Sequence, residues 1–307
     1  MRVIAVEEHY RCKEVVAAIG NEYNFFRPLE SAGGEVTQVF AKIDDLGEGR
    51  LAEMDAAGID MQVISHSFPS PEWLEASQAV PLAQRANDVA AEAVGRHPKR
   101  FAAFAILPVS SPAAAAQELE RTVTQLHFKG ALINGATQGR FLDDPSFSPL
   151  LERAEALRVP LYIHPGPPAR PVWEAYYSGL PTGLALMLST AGWGWHAEQG
   201  LHLLRMIATG VFDRFPGLQV LIGHVGEMIP FLLARADRIL TPLAKGLHCS
   251  VADYVHKNVH ITISGMFTLP PLLLALQVLG ADRILFSVDY PFGSCQEGRK
   301  FLENLPL

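Results

Sequence analysis

The chain has 307 residues, of which 49% are hydrophobic and 19% charged, with a formal net charge of −7. That balance belongs to a compact globular chain rather than a disordered one, and the absence of any basic run excludes nucleic acid as an expected partner. Cys12, Cys249 and Cys295 are too few and too scattered for a disulfide framework, and with no signal-like start they point to a reducing, cytoplasmic setting.

Residues 2–9 read as strand one, an apolar run from Val3 to Val6 that ends in charge at Glu7, Glu8 and His9. Residues two apart on a strand point the same way, so Glu7 and His9 face one centre while Glu8 turns elsewhere. Residues 10–47 lack clean periodicity beyond a short helix signal around Lys13–Ile19 and read as an elaborated first loop. Tyr23, Phe25 and Phe26 lie in it, either as a pocket wall or as core aromatics. GRLAEMDAAGID is a helix that stops near Gly58, and MQVISHSF is strand two. His66 sits at the mouth of that strand, where it either touches a ligand or packs as an ordinary histidine. Residues 71–96 form a long helical region with an expected interruption around Val80–Pro81.

FAAFAILPVS is strand three, PAAAAQELERTVTQ a helix by propensity, and GALINGAT strand four, ending at Asn134. FSPLLERAEALRVP is a helix, and LYIHPG is strand five, ending at His164. Residues 166–197 are rich in Pro, Gly and aromatics and form a long loop with a helix start at WGWH. GLHLLRMIATGVFDRFP is a helix and LQVLIGH strand six, ending at His224. GEMIPFLLARADRIL reads as a helix opening immediately after His224. VHITISG is strand seven, and the apolar PPLLLALQVLG is a packed helix too short to span a bilayer. ILFSVD is strand eight, ending at Asp289, and RKFLENLPL reads as the first turns of a last helix.

Eight short apolar strands, most separated by a helix, make the α/β pattern of a (β/α)₈ TIM barrel. The expectation is a single domain over 1–307 with elaborated βα loops after strands one and five. An open doubly wound sheet is disfavoured, because the first βα turn lacks a glycine-rich phosphate loop. In a barrel the carboxyl ends of all strands meet at one face. Glu7, His9, His164 and Asp289 all stand at such ends, and two neutral imidazoles with two carboxylates balance one divalent ion. Zinc fits this mixed set and manganese nearly as well; the alternative is four unrelated polar residues. No lysine ends strand four, which argues for one ion rather than a carbamylated-lysine pair. His224 reads as a hydrogen-bond partner to Asp289 or to substrate, with Glu227 orienting its ring. Arg235, eight residues beyond Glu227 on the same expected helix and at roughly the same angular position, reaches a substrate carboxylate, a neighbouring subunit or solvent. The Asn134 amide is placed to hold a phenol or carboxylate oxygen.

EEH at 7–9, NG at 134–135, YIHPG at 162–166, GHVGE at 223–227 with Arg235, and SVDYPF at 287–292 run in that order over nearly the whole chain. In this combination the chain resembles the amidohydrolase superfamily, in its branch of metal-dependent nonoxidative decarboxylases. It is similar there to the γ-resorcylate and 2,3-dihydroxybenzoate decarboxylase group, with the aminocarboxymuconate semialdehyde decarboxylases more distant. The usual superfamily HxH at strand one is ExH here, as in the decarboxylase branch. The resemblance implies Glu7, His9, His164 and Asp289 as ligands of one divalent ion, with His224 and Glu227 as the polar pair beside it. It implies Asn134 and Arg235 as substrate contacts. His66, Phe26 and Phe292 complete the expected substrate-binding set. The implied reaction is loss of CO2 from an ortho-hydroxybenzoate, reversible with CO2, with Asp289 protonating the ring carbon as an acid whose pKa is raised by burial and by Glu7. The alternative is hydrolysis of a lactone or ester by a metal-bound water with Asp289 as base; a non-catalytic binding module is a third reading. The small-molecule partner is an aromatic carboxylate. The resemblance also implies a homodimer or homotetramer, for which the apolar segments 171–195 and 266–279 are candidate interfaces.

Overall fold

A computed structural model describes residues 2–19 and 35–306. Tyr23, Phe25 and Phe26 lie outside the described residues. Strand β1 (Ile4–Tyr10) pairs in parallel with β2 (Met61–His66), and β2 with β3 (Phe101–Ala103). A second parallel series runs β4 (Ala105–Ile106), β5 (Ala131–Asn134), β6 (Leu161–His164), β7 (Val220–Ile222), β8 (Val259–Thr262) and β9 (Ile284–Leu285). The expected third strand is thus broken at Phe104 into β3 and β4. Phe104 N still donates to Ile64 O at 2.9 Å, and Ala105 N to Gly130 O at 2.9 Å, so the two series join there. The ring closes between its first and last strands, where Val6 N donates to Phe286 O (3.2 Å) and His9 N to Tyr290 O (2.6 Å). This is the expected TIM barrel.

Alternation along the strands sorts the side chains. Val63, Ala102, Leu132, Tyr162 and Leu221, on β2, β3, β5, β6 and β7, pack together as the filling of the ring. Their neighbours Ile64, Ala103, Ile133, Ile163 and Ile222 belong to the larger core shared with the surrounding helices. A register shift between Ala5 and Glu8 bends β1 just before its charged end. Glu8 pairs with Ile64 and His9 with Ser65, so Glu8 faces the helices and His9 the axis.

Several helices differ from expectation: Glu35–Ile43 is helical inside the segment read as a first loop, Arg170–Tyr176 and Thr182–Ser189 inside the one read as a loop after strand five, and Val251–Asn258 precedes β8. The helix Ala76–Arg96 runs unbroken through Pro81, which lies near its start and forfeits a single backbone bond. A one-turn helix at Pro71–Trp73 precedes it. The helix after β7 does not open at His224: it spans Ile229–Leu240. Residues 224–228 all have positive φ, from 47° at His224 to 82° at Gly226. Only Gly226 takes that conformation freely; for the others it is strained. Glu227 therefore sits in a turn ahead of the helix, not in its first turn, and shares no helical face with Arg235.

Candidate active site

β1 delivers Glu7 and His9, β6 delivers His164, and the turn after β9 delivers Asp289, itself at φ 65°. Ligand atoms of Glu7, His9 and His164 lie within 4.8 Å of one another, and all three side chains are buried. His9 Nε2 is 3.1 Å from Asp289 Oδ1, and His164 Nε2 is 3.6 Å from Glu7 Oε1. Glu7 Oε1 and His9 Nε2 are buried atoms without a hydrogen-bond partner, although charged groups crowd them. Buried polar atoms are almost always paired, so atoms that approach closely without bonding mark a point on which all of them converge. The structure brings three of the four expected ligands, Glu7, His9 and His164, into one cluster and sets Asp289 against His9.

The surrounding groups fix which atoms face that point. Tyr162 and Thr262 both donate to Glu7 Oε2, the latter at 2.9 Å, which leaves Oε1 free toward the histidines. His164 Nδ1 faces Asn134 Oδ1 at 3.0 Å and Pro165 O at 2.9 Å, two acceptors, so Nδ1 carries the proton and Nε2 presents a lone pair. Ser65 Oγ lies 3.3 Å from His9 Nδ1. Burial, with His9 and His224 nearby, holds the His164 ring well below the usual histidine range, hence neutral. Burial pushes the Glu7 carboxyl up to about 7, against the pull of His224, His9 and Tyr162.

His224 stands beside this group. Its Nδ1 donates to Glu227 Oε1 at 2.6 Å, and its Nε2 lies 3.8 Å from Asp289 Oδ2. The other Glu227 oxygen accepts from His196 Nδ1 at 2.5 Å. His196, His224 and Glu227 also cluster within ligand distance, but their facing atoms satisfy one another. Burial works against the Glu227 charge, yet the two imidazoles hold its carboxyl down at about 2. Burial opposes a charge on His224 as well, but Glu227, Asp289 and Glu7 together raise it well above its usual range. The Asp289 expectation needs correction. Burial pushes its carboxyl up, but His224 and His9 outweigh that and hold it well below the usual carboxylate range. Without an ion, these directions favour the proton on His224 and the charge on Asp289.

Above these residues opens a cavity of about 680 Å³, within the size range of small-molecule sites. His9, His164, His224 and Asp289 reach it, and Phe68, Trp195, Phe267 and Phe292 wall it with Met187 and Met266. Phe292 is placed as expected, its ring edge-on to His9 at 5.9 Å between centroids. Phe68 stacks on Trp73 and on Trp195. Among the described residues no lysine or arginine lines the cavity.

Three other expected contacts are elsewhere. His66 is buried behind the site, where its Nε2 accepts from Cys12 N at 3.0 Å. Burial drops its ring to about 3, so it is a packed neutral histidine. Asn134 is fully buried and does not line the cavity; its amide is spent between His164 and Glu72, with Nδ2 donating to Glu72 Oε2 at 2.8 Å. Arg235 is on the exposed side of the Ile229–Leu240 helix, away from this cavity. Sequence reasoning missed Tyr162, Thr262, Glu72 and His196. Tyr162 had a signal, since it lies two residues before His164 on the same strand face; Glu72 had none.

The family model described as amidohydrolase matches residues 39–306. The chain belongs to the amidohydrolase family. This amidohydrolase is 38% identical over 312 residues to "Decarboxylase orsB" of Emericella nidulans, covering 99% of this chain and 89% of that protein. It is 37% identical over 300 residues to "Gamma-resorcylate decarboxylase" of Rhizobium radiobacter, covering 94% of this chain and 88% of that protein. Among solved structures it is similar to 5-carboxyvanillate decarboxylase of Novosphingobium aromaticivorans, complexed with manganese and 4-hydroxy-3-methoxy-5-nitrobenzoic acid. That match has a TM-score of 0.90 at 31% identity and covers 100% of this chain and 91% of the other.

Proposed function

We propose that this amidohydrolase is a metal-dependent carboxy-lyase that removes CO2 from an ortho-hydroxybenzoate without redox chemistry. The observation that carries the reading is the clustering of ligand atoms of Glu7, His9 and His164 within 4.8 Å of one another, with Asp289 Oδ1 3.1 Å from His9 Nε2, beside an aromatic-walled cavity that His9, His164 and Asp289 line. The donor set fits a divalent ion: oxygen and imidazole ligands, with Nδ1 of His164 hydrogen-bonded so that its Nε2 is bare. Relatives at 37–38% identity are decarboxylases, and a similar structure holds manganese, which favours Mn2+ over Zn2+. Such an ion supplies Lewis-acid withdrawal of charge from the carboxylate and phenolic oxygens of the substrate.

The protein's own groups then handle one proton. The reaction consumes a proton for each CO2 released: the bond from ring carbon to carboxyl carbon breaks, and a bond from ring carbon to hydrogen forms. His224 stores that proton, held by Glu227, and Asp289 lies between His224 and the ligand cluster as the group that passes it on. Phe68, Trp195 and Phe292 hold the flat ring and keep water away. The three free cysteines, Cys12 and Cys295 buried, support a cytoplasmic enzyme, and no helix of the described residues is long and apolar enough to cross a membrane. Exposed Tyr176, Leu184 and Trp193, with Phe231 on the Ile229–Leu240 helix, support a homo-oligomer, which light scattering tests.

The test is a product screen of the Mn2+-loaded protein on salicylate, the dihydroxybenzoates and 5-carboxyvanillate beside a panel of aryl lactones. Release of CO2 from at least one acid is expected. Ring opening of a lactone with no CO2 from any acid overturns the reading in favour of hydrolysis.

A further inference from the structure

We infer that Glu72, a residue far from the ligand cluster in sequence, is a positioning residue that sets the proton on His164 through Asn134, and so sets metal affinity. The inference rests on the metal-centre reading above. Glu72 is fully buried on the one-turn helix Pro71–Trp73 and reaches across to the end of β5. Its carboxylate accepts from Asn134 N at 3.1 Å, from Asn134 Nδ2 at 2.8 Å and from Ser70 Oγ at 2.9 Å. Asn134 Oδ1 in turn faces His164 Nδ1 at 3.0 Å.

An asparagine alone does not choose which end of its amide faces a neighbour, because oxygen and nitrogen are nearly the same size. A carboxylate does choose, because it only accepts. Glu72 forces the Asn134 NH2 toward itself and the Asn134 oxygen toward His164. That oxygen, together with Pro165 O at 2.9 Å, keeps the proton on Nδ1 and leaves Nε2 as the bare lone pair aimed at Glu7 and His9. A reversed amide would set NH2 against the Nδ1 proton, donor against donor. The ring would then tilt, or move its proton to Nε2, where no metal binds. Burial opposes the Glu72 charge and pushes its pKa up to about 7, against the pull of the Asn134 and Ser70 donors.

The test is Mn2+ titration of metal-stripped protein, read as a dissociation constant and independent of turnover. Glu72→Gln offers Asn134 a donor as well as an acceptor, frees the amide to reverse, and is expected to weaken Mn2+ binding about tenfold, in the range for outer-shell partners of metal-ligating histidines. The double variant Glu72→Gln with Asn134→Asp restores the polarity with exchanged partners. The new amide at position 72 donates to the new carboxylate at position 134, and its oxygen still accepts from the backbone N–H there. That new carboxylate accepts from His164 Nδ1. The Mn2+ affinity of the double variant is expected to return close to wild type, which a merely structural role for Glu72 would not produce. If Glu72→Gln alone does not fold, the double variant is compared directly with wild type and the same recovery is required. Unchanged affinity in Glu72→Gln, or weak binding by the double variant, overturns the inference. Wild-type protein that fails to bind Mn2+ at all overturns instead the metal-centre reading beneath it.

Discussion

Replacing Tyr162 by phenylalanine removes one oxygen atom at a fully buried position and leaves the ring in place. That hydroxyl donates to Glu7 Oε2, and Thr262, 2.9 Å from the same oxygen, remains as the other donor. A hydrogen bond to a charged group is worth about 1.5–3 kcal/mol, or roughly one to two pKa units. Burial has already raised the Glu7 carboxyl to about 7, and Tyr162 is one of the groups holding it down. Without it, Glu7 is protonated at neutral pH, and a metal ion must displace that proton. At pH 6.5 the Mn2+ affinity of Tyr162→Phe is expected to fall by about tenfold or more, because each 1.4 kcal/mol is a factor of ten. The deficit shrinks as pH rises past the new Glu7 value, where the carboxylate is ionised in both proteins. The assay is calorimetric or paramagnetic titration of metal-stripped protein at pH 6.5 and 9. Equal affinity of variant and wild type at pH 6.5 would refute the reasoning, as would a deficit that does not change with pH.

Asp289→Asn keeps the side-chain shape but removes its capacity to take the proton from His224; kcat is expected to fall by about 10²–10⁴, the usual size of a general acid–base contribution, while substrate still binds. Turnover within a few fold of wild type would remove Asp289 from proton handling. His202 is a separate stability probe: it is fully buried, its Nε2 accepts from Leu142 N at 2.9 Å, and burial lowers its ring from 6.5 to about 3. Because the folded value lies below the unfolded one, its contribution is present above pH 6.5 and lost as pH falls toward 3. The stability advantage of wild type over His202→Gln in urea unfolding should therefore shrink by about 1 kcal/mol between pH 7 and 5.5. A pH-independent difference would show that the ring is not neutral in the folded state.

Much of the site is written in short-range patterns. Glu7 and His9 are legible because a strand has period two and both interrupt an apolar run. His164 and Asp289 are legible because polar residues at the carboxyl ends of barrel strands gather at one mouth. What stayed illegible depends on tertiary placement. The turn at 224–228 holds His224, Val225, Glu227 and Met228 at positive φ, and only its glycine announces such a backbone. Periodicity therefore extended the following helix too far and put Glu227 on one face with Arg235. Asn134 ends a strand as expected, but Glu72, from a segment with no motif, claims its amide before any substrate can. His66 looks like a mouth residue, yet Cys12 N takes its free nitrogen from behind. Asp289 reads as an acid when burial alone is weighed, and as a carboxylate once His9 and His224 are counted.

The most direct measurement follows CO2 release from the acid that the product screen identifies, by one preparation in three states: as purified, stripped by chelator, and reconstituted with Mn2+. The expected result is loss of turnover on stripping and its return with about one equivalent of ion, as a single mixed imidazole–carboxylate site requires. Full activity in the stripped protein, with metal absent by elemental analysis, would contradict an account in which Glu7, His9, His164 and Asp289 are arranged to hold that ion.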